Sequence, residues 1–181
     1  MSAHPAPSPT STSTAGAWTV VASPVGELLV ATDGRAVTAI FFDAHRKGAD
    51  SRPVVARRAE ARDDDHPVLR DAETQLREYF ARARRVFDLP LAPAGTPFQH
   101  RVWTALLDIP YGATASYGDV ARRLGLPPGA SRAVGLANGA NPISIVVPCH
   151  RVVGADGSLT GYGGGLDRKR FLLDLERDVL F

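Results

Sequence analysis

Pro148-Cys149-His150-Arg151-Val152-Val153 is the stretch of this 181-residue chain whose residue types and spacing suit covalent chemistry. Cys149 is the only cysteine, a histidine follows it directly, and the apolar run from Ile143 to Val147, broken by Ser144, precedes it. A lone cysteine beside such a run most often behaves as a small core hydrophobe. Here Pro148 fixes the backbone, and His150 and Arg151 add polar and cationic groups. An electropositive, partly shielded setting of this kind favours a thiolate. Cys149 is therefore read as a nucleophile. A protease-like pair with His150 is disfavoured, because neighbouring side chains on extended backbone point apart and no Asp or Asn stands out as a third member.

The elements that must carry this stretch lie on both sides of it. Trp18 to Ser23 alternates in polarity, Ser23-Pro24-Val25-Gly26 is a turn, and Glu27 to Thr32 returns. Asp33-Gly34 turns again before a third run, Ala36 to Phe42, which predicts a small antiparallel meander. Asp43 to His66 is charged and irregular, and its Asp63-Asp64-Asp65 triplet reads as a solvated loop leading into a helix. His45 and His66 are expected to be exposed. Pro67 opens a helix with Val68, Leu69, Ala72, Leu76 and Phe80 on its apolar face. The segment from Leu89 to Gly95 reads as a linker. The expected organisation is a disordered tail over 1–16, an α/β domain over 17–90, a linker over 91–95 and a second domain over 96–181.

In the second domain, Thr96 caps a helix with Pro97 at its first position and Phe98, Val102, Leu106 and Ile109 on its buried stripe. Ser116-Tyr117-Gly118-Asp119 resembles a capping box for a short helix that stops at Gly125. A proline-rich turn leads to a second short helix, Ala130 to Asn138. This is the outline of a helix-turn-helix, which serves DNA binding or plain packing. The second helix is rich in small residues, among them Ser131, Ala133 and Gly135, and one long side chain, Arg132, projects from it. After Val153, Ala155 to Ser158 predicts a hairpin turn between Arg151–Gly154 and Leu159–Tyr162. Gly161-Tyr162-Gly163-Gly164-Gly165 reads as a substrate-facing loop. A last helix, Leu166 to Arg177, is expected to bury Leu166, Phe171, Leu172 and Leu175.

Composition sets the frame. One cysteine excludes an intramolecular disulfide and a cysteine-rich zinc module, and a free thiol suits a reducing, cytoplasmic setting. No stretch approaches the roughly 20 apolar residues of a membrane span, and Met1 to Gly16 lacks the basic and apolar segments of a secretory signal. A net charge of +2 does not announce a nucleic-acid binder. Its distribution is more informative, since Arg122, Arg123, Arg132 and Arg151 face only Asp119 between residues 116 and 151.

Taken together, Phe98-Gln99, Val102-Trp103, Tyr111-Gly112, Ser116-Tyr117, Ser131-Arg132-Ala133-Val134-Gly135, Asn141-Pro142, the Pro148–Val153 stretch and Gly161-Tyr162 with Gly164-Gly165-Leu166 resemble the O6-alkylguanine-DNA alkyltransferases. The likeness covers Thr96 to Glu176, and more weakly the meander and helix, which would correspond to that family's ribonuclease-H-like domain. It implies an α+β fold, with a small N-terminal ribonuclease-H-like domain and a C-terminal helical, winged helix-turn-helix-type domain carrying the site. It also implies a single-turnover DNA repair methyltransferase in which Cys149 accepts the alkyl group from a flipped O6-alkylguanine, or from O4-alkylthymine. By the same resemblance His150 is the base towards the thiol through a water, Glu176 orients His150, and Tyr117 donates to the flipped base. Asn141 braces the helix pair against the active segment, and Arg132 fills the gap in the base stack. Cys149 and Val152 carbonyls and the Gly163 amide would meet the base, with Tyr162, Gly164 and Lys169 also at the substrate. Ser131, Ala133, Gly135 and Arg151 would contact DNA through the minor groove.

The resemblance implies no cofactor and a monomer bound to double-stranded DNA. No metal is expected, because the cysteines that serve as zinc ligands in another member are missing. Gly163 and Ser144 stand where that member has a serine and a proline, which puts the pocket width in question. The reading requires that the thiol face a groove large enough for a purine and that the Arg132 helix be on the surface. Two other readings remain, a non-catalytic alkyltransferase-like binder of damaged DNA and a helix-turn-helix regulator with Cys149 as redox sensor. The first lacks an acceptor cysteine, and the second needs a dimer seam that is not visible.

Overall fold

The chain was studied as a computed structural model, which describes residues 15–42 and 61–177. The tail over 1–14, most of the charged loop (43–60) and His45 lie outside the described residues.

Three strands, β1 (Ala17–Val21), β2 (Leu28–Thr32) and β3 (Val37–Phe42), form the expected antiparallel meander. A two-residue strand, β4 (Ala61–Arg62), adds in parallel to β1, giving the order β3-β2-β1-β4. The central strand β2 is buried along its whole length, as its unbroken Leu-Leu-Val-Ala run requires. Helix α1 (Pro67–Phe80) covers one face of the sheet with Leu69, Ala72, Leu76 and Tyr79. His66 is not exposed as expected. It is buried at the N-cap of α1, where its Nδ1 accepts from the Val68 amide at 3.3 Å. A helix start leaves amide donors without partners, and an imidazole nitrogen can satisfy one of them.

The second half is built on α2 (Pro97–Leu107), β5 (Ala115–Ser116), α3 (Tyr117–Arg123), α4 (Ser131–Gly139) and α5 (Leu166–Glu176). The expected capping box of Ser116 with Asp119 forms, and the cap at Thr96 is also a full box, completed by Gln99. A short strand, β6 (Val152–Val153), pairs in parallel with β5, Ala115 facing Val152 and Ser116 facing Val153. The expected hairpin after Val153 is half formed. Gly154 donates to Ser158 and Gly157 donates to Gly154, so the turn is present, but the edge of β6 is taken by β5 and no returning strand pairs with it.

The two halves share one core, and the edge of β3 joins them. Val37 exchanges bonds with Pro90 and Ala92, so the presumed linker lies along the sheet. Ile40 exchanges bonds with Pro142 and Ser144, the segment that leads into Cys149. The nucleophile's segment is thus braced on a strand from the other half of the chain.

Helix α5 buries half of the residues expected of it: Leu172 is buried and Leu175 packs against the core, but Leu166 and Phe171 are exposed, and the inner face carries Lys169, Leu173 and Glu176 beside Leu172. That face includes two charged side chains, so apolar spacing alone finds only part of it.

Candidate active site

The backbone turns sharply at the nucleophile. Cys149 to Arg151 forms a single 3-10 turn between the apolar run and β6. Asn141 holds the approach, donating from Nδ2 to the Val147 carbonyl at 2.9 Å and accepting the Ile143 amide on Oδ1 at 3.0 Å. Asn138, on the buried side of α4, donates to the Cys149 carbonyl at 3.4 Å. Trp103 of α2 donates its indole N–H to the Ala137 carbonyl at 2.8 Å, so α4 is tied to α2 just behind that contact.

Behind Cys149 lies a buried ionic network. His150 Nε2 is 2.8 Å from Glu176 Oε1, while Arg151 reaches both carboxylate oxygens, Nε to Oε2 at 2.8 Å and one terminal nitrogen to Oε1 at 3.0 Å. Arg151 also donates to the Ile109 carbonyl at 2.6 Å, and the Gly112 amide donates to Glu176 Oε2 at 3.3 Å. Tyr79 of α1 completes the set, its hydroxyl donating to Oε1 at 2.7 Å. Burial by itself pushes the Glu176 carboxyl up, but His150 and Arg151 outweigh it and bring the group down to about 2. An ionised Glu176 can only accept, so His150 carries its proton on Nε2. Its Nδ1 has no protein partner among the described residues and is the nitrogen left to take a proton. Burial holds the imidazole below its usual pKa, so the ring is neutral.

Several expected roles change in this setting. Arg151 was expected at the DNA, but it is 7% exposed and its guanidinium is committed to Glu176 and Ile109. A buried carboxylate needs a compensating charge, and Arg151 supplies it. Lys169, expected to touch substrate, is fully buried and bonds the Val152 carbonyl at 2.6 Å and the Thr160 carbonyl at 2.8 Å. It pins the glycine-rich loop to the active segment, and it already occupies one lone pair of the carbonyl assigned to the base. Cys149 itself is 5% exposed, and burial pushes its thiol up although Asn141 and Lys169 pull the other way. The resting group is the thiol, not the thiolate that its neighbours in sequence suggest.

The cavity at Cys149 is lined by Asn138, Asn141, Ser144, Tyr162 and the glycines at 161, 163 and 164, with a volume of ≈ 10 Å³, room for about one water. The groove wide enough for a purine is therefore not open in this state. Its outer wall is the loop of Tyr162 and its glycines. Among the described backbone bonds, Gly165 to Tyr162 closes that loop, and Gly164 packs so closely on the Phe42 ring that an added Cβ would lie 2.6 Å from it. The Tyr162 ring meets Phe42 edge-on at 5.9 Å, and its hydroxyl faces Cys149 without hydrogen-bond geometry.

Tyr117 does not line this cavity. It is half-buried at the start of α3, one residue past the β5–β6 ladder that includes Val152, and Gly135 of α4 lies against its ring. Ser131, Arg132 and Ala133 are exposed on α4, while Gly135 is half-buried. The helix lies on the surface, as required, and no side chain caps its start at Ala130. Two residues that sequence reasoning missed are Tyr79 and Asn138. A tyrosine on the apolar face of α1 was a signal for the first, since a buried phenol needs a partner for its O–H.

The comparisons with known proteins point the same way. Residues 97–178 match the DNA binding domain of 6-O-methylguanine DNA methyltransferase, and residues 17–93 match the ribonuclease-like domain of the same family. A methylated-DNA–protein-cysteine methyltransferase of Methanosarcina acetivorans is 46% identical over 159 residues, 88% of this chain and 97% of that protein. Its counterpart in Mycobacterium tuberculosis is 60% identical over 113 residues, 62% of this chain and 68% of that protein. A crystal structure of Mycobacterium tuberculosis O6-methylguanine methyltransferase superposes with a TM-score of 0.79 at 46% identity, covering 90% of this chain and 93% of that one. Another, of Mycobacterium tuberculosis OGT in complex with DNA, gives 0.75 at 46% identity over 89% and 92%. With a lone cysteine held beside a neutral histidine, and both halves matched in order, the chain belongs to the 6-O-methylguanine DNA methyltransferase family.

Proposed function

We propose that this chain repairs DNA by moving an alkyl group from the O6 oxygen of guanine to Cys149, once per molecule. The observation that carries the reading is the cysteine set against a histidine whose Nε2 is held by Glu176 at 2.8 Å while Nδ1 has no partner among the described residues. The Cys149 sulfur attacks the alkyl carbon, the carbon–O6 bond breaks, and its electrons pass to the guanine. The thiol proton goes to His150 Nδ1 through a water and on to solvent, while the Tyr117 hydroxyl donates a hydrogen bond to the departing guanine anion, which then takes a proton from solvent. The thioether formed is inert to water, so the protein is consumed.

With the thiol pushed up, less than the roughly 3% thiolate of a free cysteine is present at pH 7. Activation of sulfur is therefore a small part of the rate. Holding sulfur and carbon in line can contribute about 7–11 kcal/mol, and acid catalysis on the leaving base roughly 10²–10⁴-fold. Tyr117→Phe is accordingly expected to slow transfer by about 100-fold while leaving the titration of Cys149 in place. Stopped-flow transfer rates, set beside thiol titration by ultraviolet absorbance, check this division. A large change in the thiol titration would assign Tyr117 to the nucleophile instead.

DNA would be held through the minor groove by the exposed face of α4, with the protein acting as a monomer in the cytoplasm. Small residues, Ser131 and Ala133, let the helix backbone approach closely, and side-chain insertion there is a known way to distort a duplex. The base would reach Cys149 by displacing the Tyr162 loop, which lines the cavity with three glycines. The deciding experiment mixes the protein with duplex DNA carrying labelled O6-methylguanine. One label per protein on Cys149, and none with Cys149→Ser, is expected. Binding without transfer would instead mark a damage-binding protein.

A further inference from the structure

We propose that Tyr79, on the ribonuclease-like half of the chain, is a positioning residue for the reaction, setting through its bond to Glu176 how strongly His150 takes up the thiol proton. This rests on the alkyl-transfer reading of the site.

The two groups are 97 positions apart in sequence and come from opposite halves of the fold. Tyr79 is fully buried, and its O–H points at Glu176 Oε1 from 2.7 Å. That oxygen also accepts from His150 Nε2 at 2.8 Å and from Arg151 at 3.0 Å. Three donors thus share one carboxylate oxygen. Each draws electron density from it, so each weakens the bond the other two receive. The carboxylate is what favours a proton on His150. A strong phenol donor on the same oxygen reduces that pull and keeps the imidazole neutral, ready to accept at Nδ1.

The hydroxyl is not required to satisfy Glu176. Its two oxygens keep His150, both Arg151 contacts and the Gly112 amide when the phenol is removed. Nor does Tyr79 serve as a proton donor to the reaction, since burial and the Glu176 charge hold its phenol far above the ordinary range. The remaining charged and titratable groups around His150 are fixed. Arg151 lies on the same turn, Lys169 and Glu176 come from α5, and Cys149 precedes it. Tyr111 packs edge-on to Tyr79 at 6.1 Å and beneath the Arg151 guanidinium at 5.8 Å, and Tyr162 borders Cys149. Beside Tyr79 and His150, Arg151 donates to Glu176 Oε1 from this set.

The test uses two replacements with opposite expected signs. Tyr79→Phe removes the donor, so Glu176 pulls harder on His150. The acid limb of the transfer rate with free O6-alkylguanine should move up by about half a pH unit, so that the rate at a fixed pH well down that limb falls about 3-fold. Incorporating 3,5-difluorotyrosine at position 79 makes a stronger donor in the same volume and should move the limb down. Nitrogen-15 NMR of the His150 ring gives its protonation directly, without any alkyl substrate. Opposite shifts in the two proteins support the proposal, and they do so from the fluorinated protein alone if Tyr79→Phe does not fold. An unmoved His150 titration in the fluorinated protein overturns it. If His150 shifts as expected but the wild type transfers no alkyl group, the positioning role stands and the alkyl-transfer reading falls.

Discussion

Arg132→Ala should reduce alkyl transfer from duplex DNA by about 100-fold while changing transfer from a free alkylguanine base by less than about 2-fold. Extruding a base from a duplex costs a few kcal/mol, less when it is damaged and poorly paired. A side chain that fills the vacated place in the stack recovers part of that cost. A loss of about 2.7 kcal/mol in the flipped complex corresponds to a 100-fold drop in rate. Arg132 is placed for this role. It is exposed, it makes no hydrogen bond or ion pair among the described residues, and it projects from the first turn of α4 between the small residues Ser131 and Ala133. A free base needs no extrusion, so the second assay isolates the step. Single-turnover rates on both substrates check the prediction. Equal losses on the two would remove Arg132 from extrusion and return it to general support of the site.

Glu176→Gln should be the most damaging single replacement in the buried network, in stability as well as rate. The amide keeps the shape of the carboxylate but leaves the Arg151 guanidinium, 7% exposed, without a countercharge. Breaking a buried ion pair from one side costs about 3–5 kcal/mol. The same side chain governs acid sensitivity. The Glu176 carboxyl drops from 4.5 in the unfolded chain to about 2 in the fold. Its stabilisation, about 3 kcal/mol, is present above pH 4.5 and is lost as the pH falls towards 2. His150 acts in the same direction. Its imidazole is held below 6.5 by burial, so the unfolded chain binds that proton first and stability begins to fall below pH 6.5. Denaturant melts from pH 7 to pH 2 should therefore show the wild type weakening steadily. Glu176→Gln should start several kcal/mol lower and show a shallower slope below pH 5. An unchanged slope there would mean that other carboxylates carry the acid response.

Much of the architecture was open to reading from the chain alone. Strands β1 to β3, the helix caps at Thr96 and Ser116 and helices α1 to α4 depend on alternation, caps and glycine stops. These are decided by residues three or four positions apart. The nucleophile was legible for a similar reason, because one cysteine beside a histidine after an apolar run is a local pattern. The family likeness rests on such ordered local patterns too.

Tertiary structure alone decided where the charges went. Lys169, Arg151 and Glu176 are residue types usually assigned to solvent, yet all three are buried because each finds a partner distant in sequence. That pairing brings Lys169 and Glu176 of α5 inside and removes Arg151 from the DNA, and burial raises a thiol that its neighbours in sequence would ionise. The same holds for Tyr79, whose partner lies 97 residues away, and for the closed wall at Tyr162, set by contact with Phe42. A sequence specifies its helices and turns through neighbours along the chain. Proton affinities and access depend on desolvation and on charges a few ångströms away, and only the packed fold brings those together.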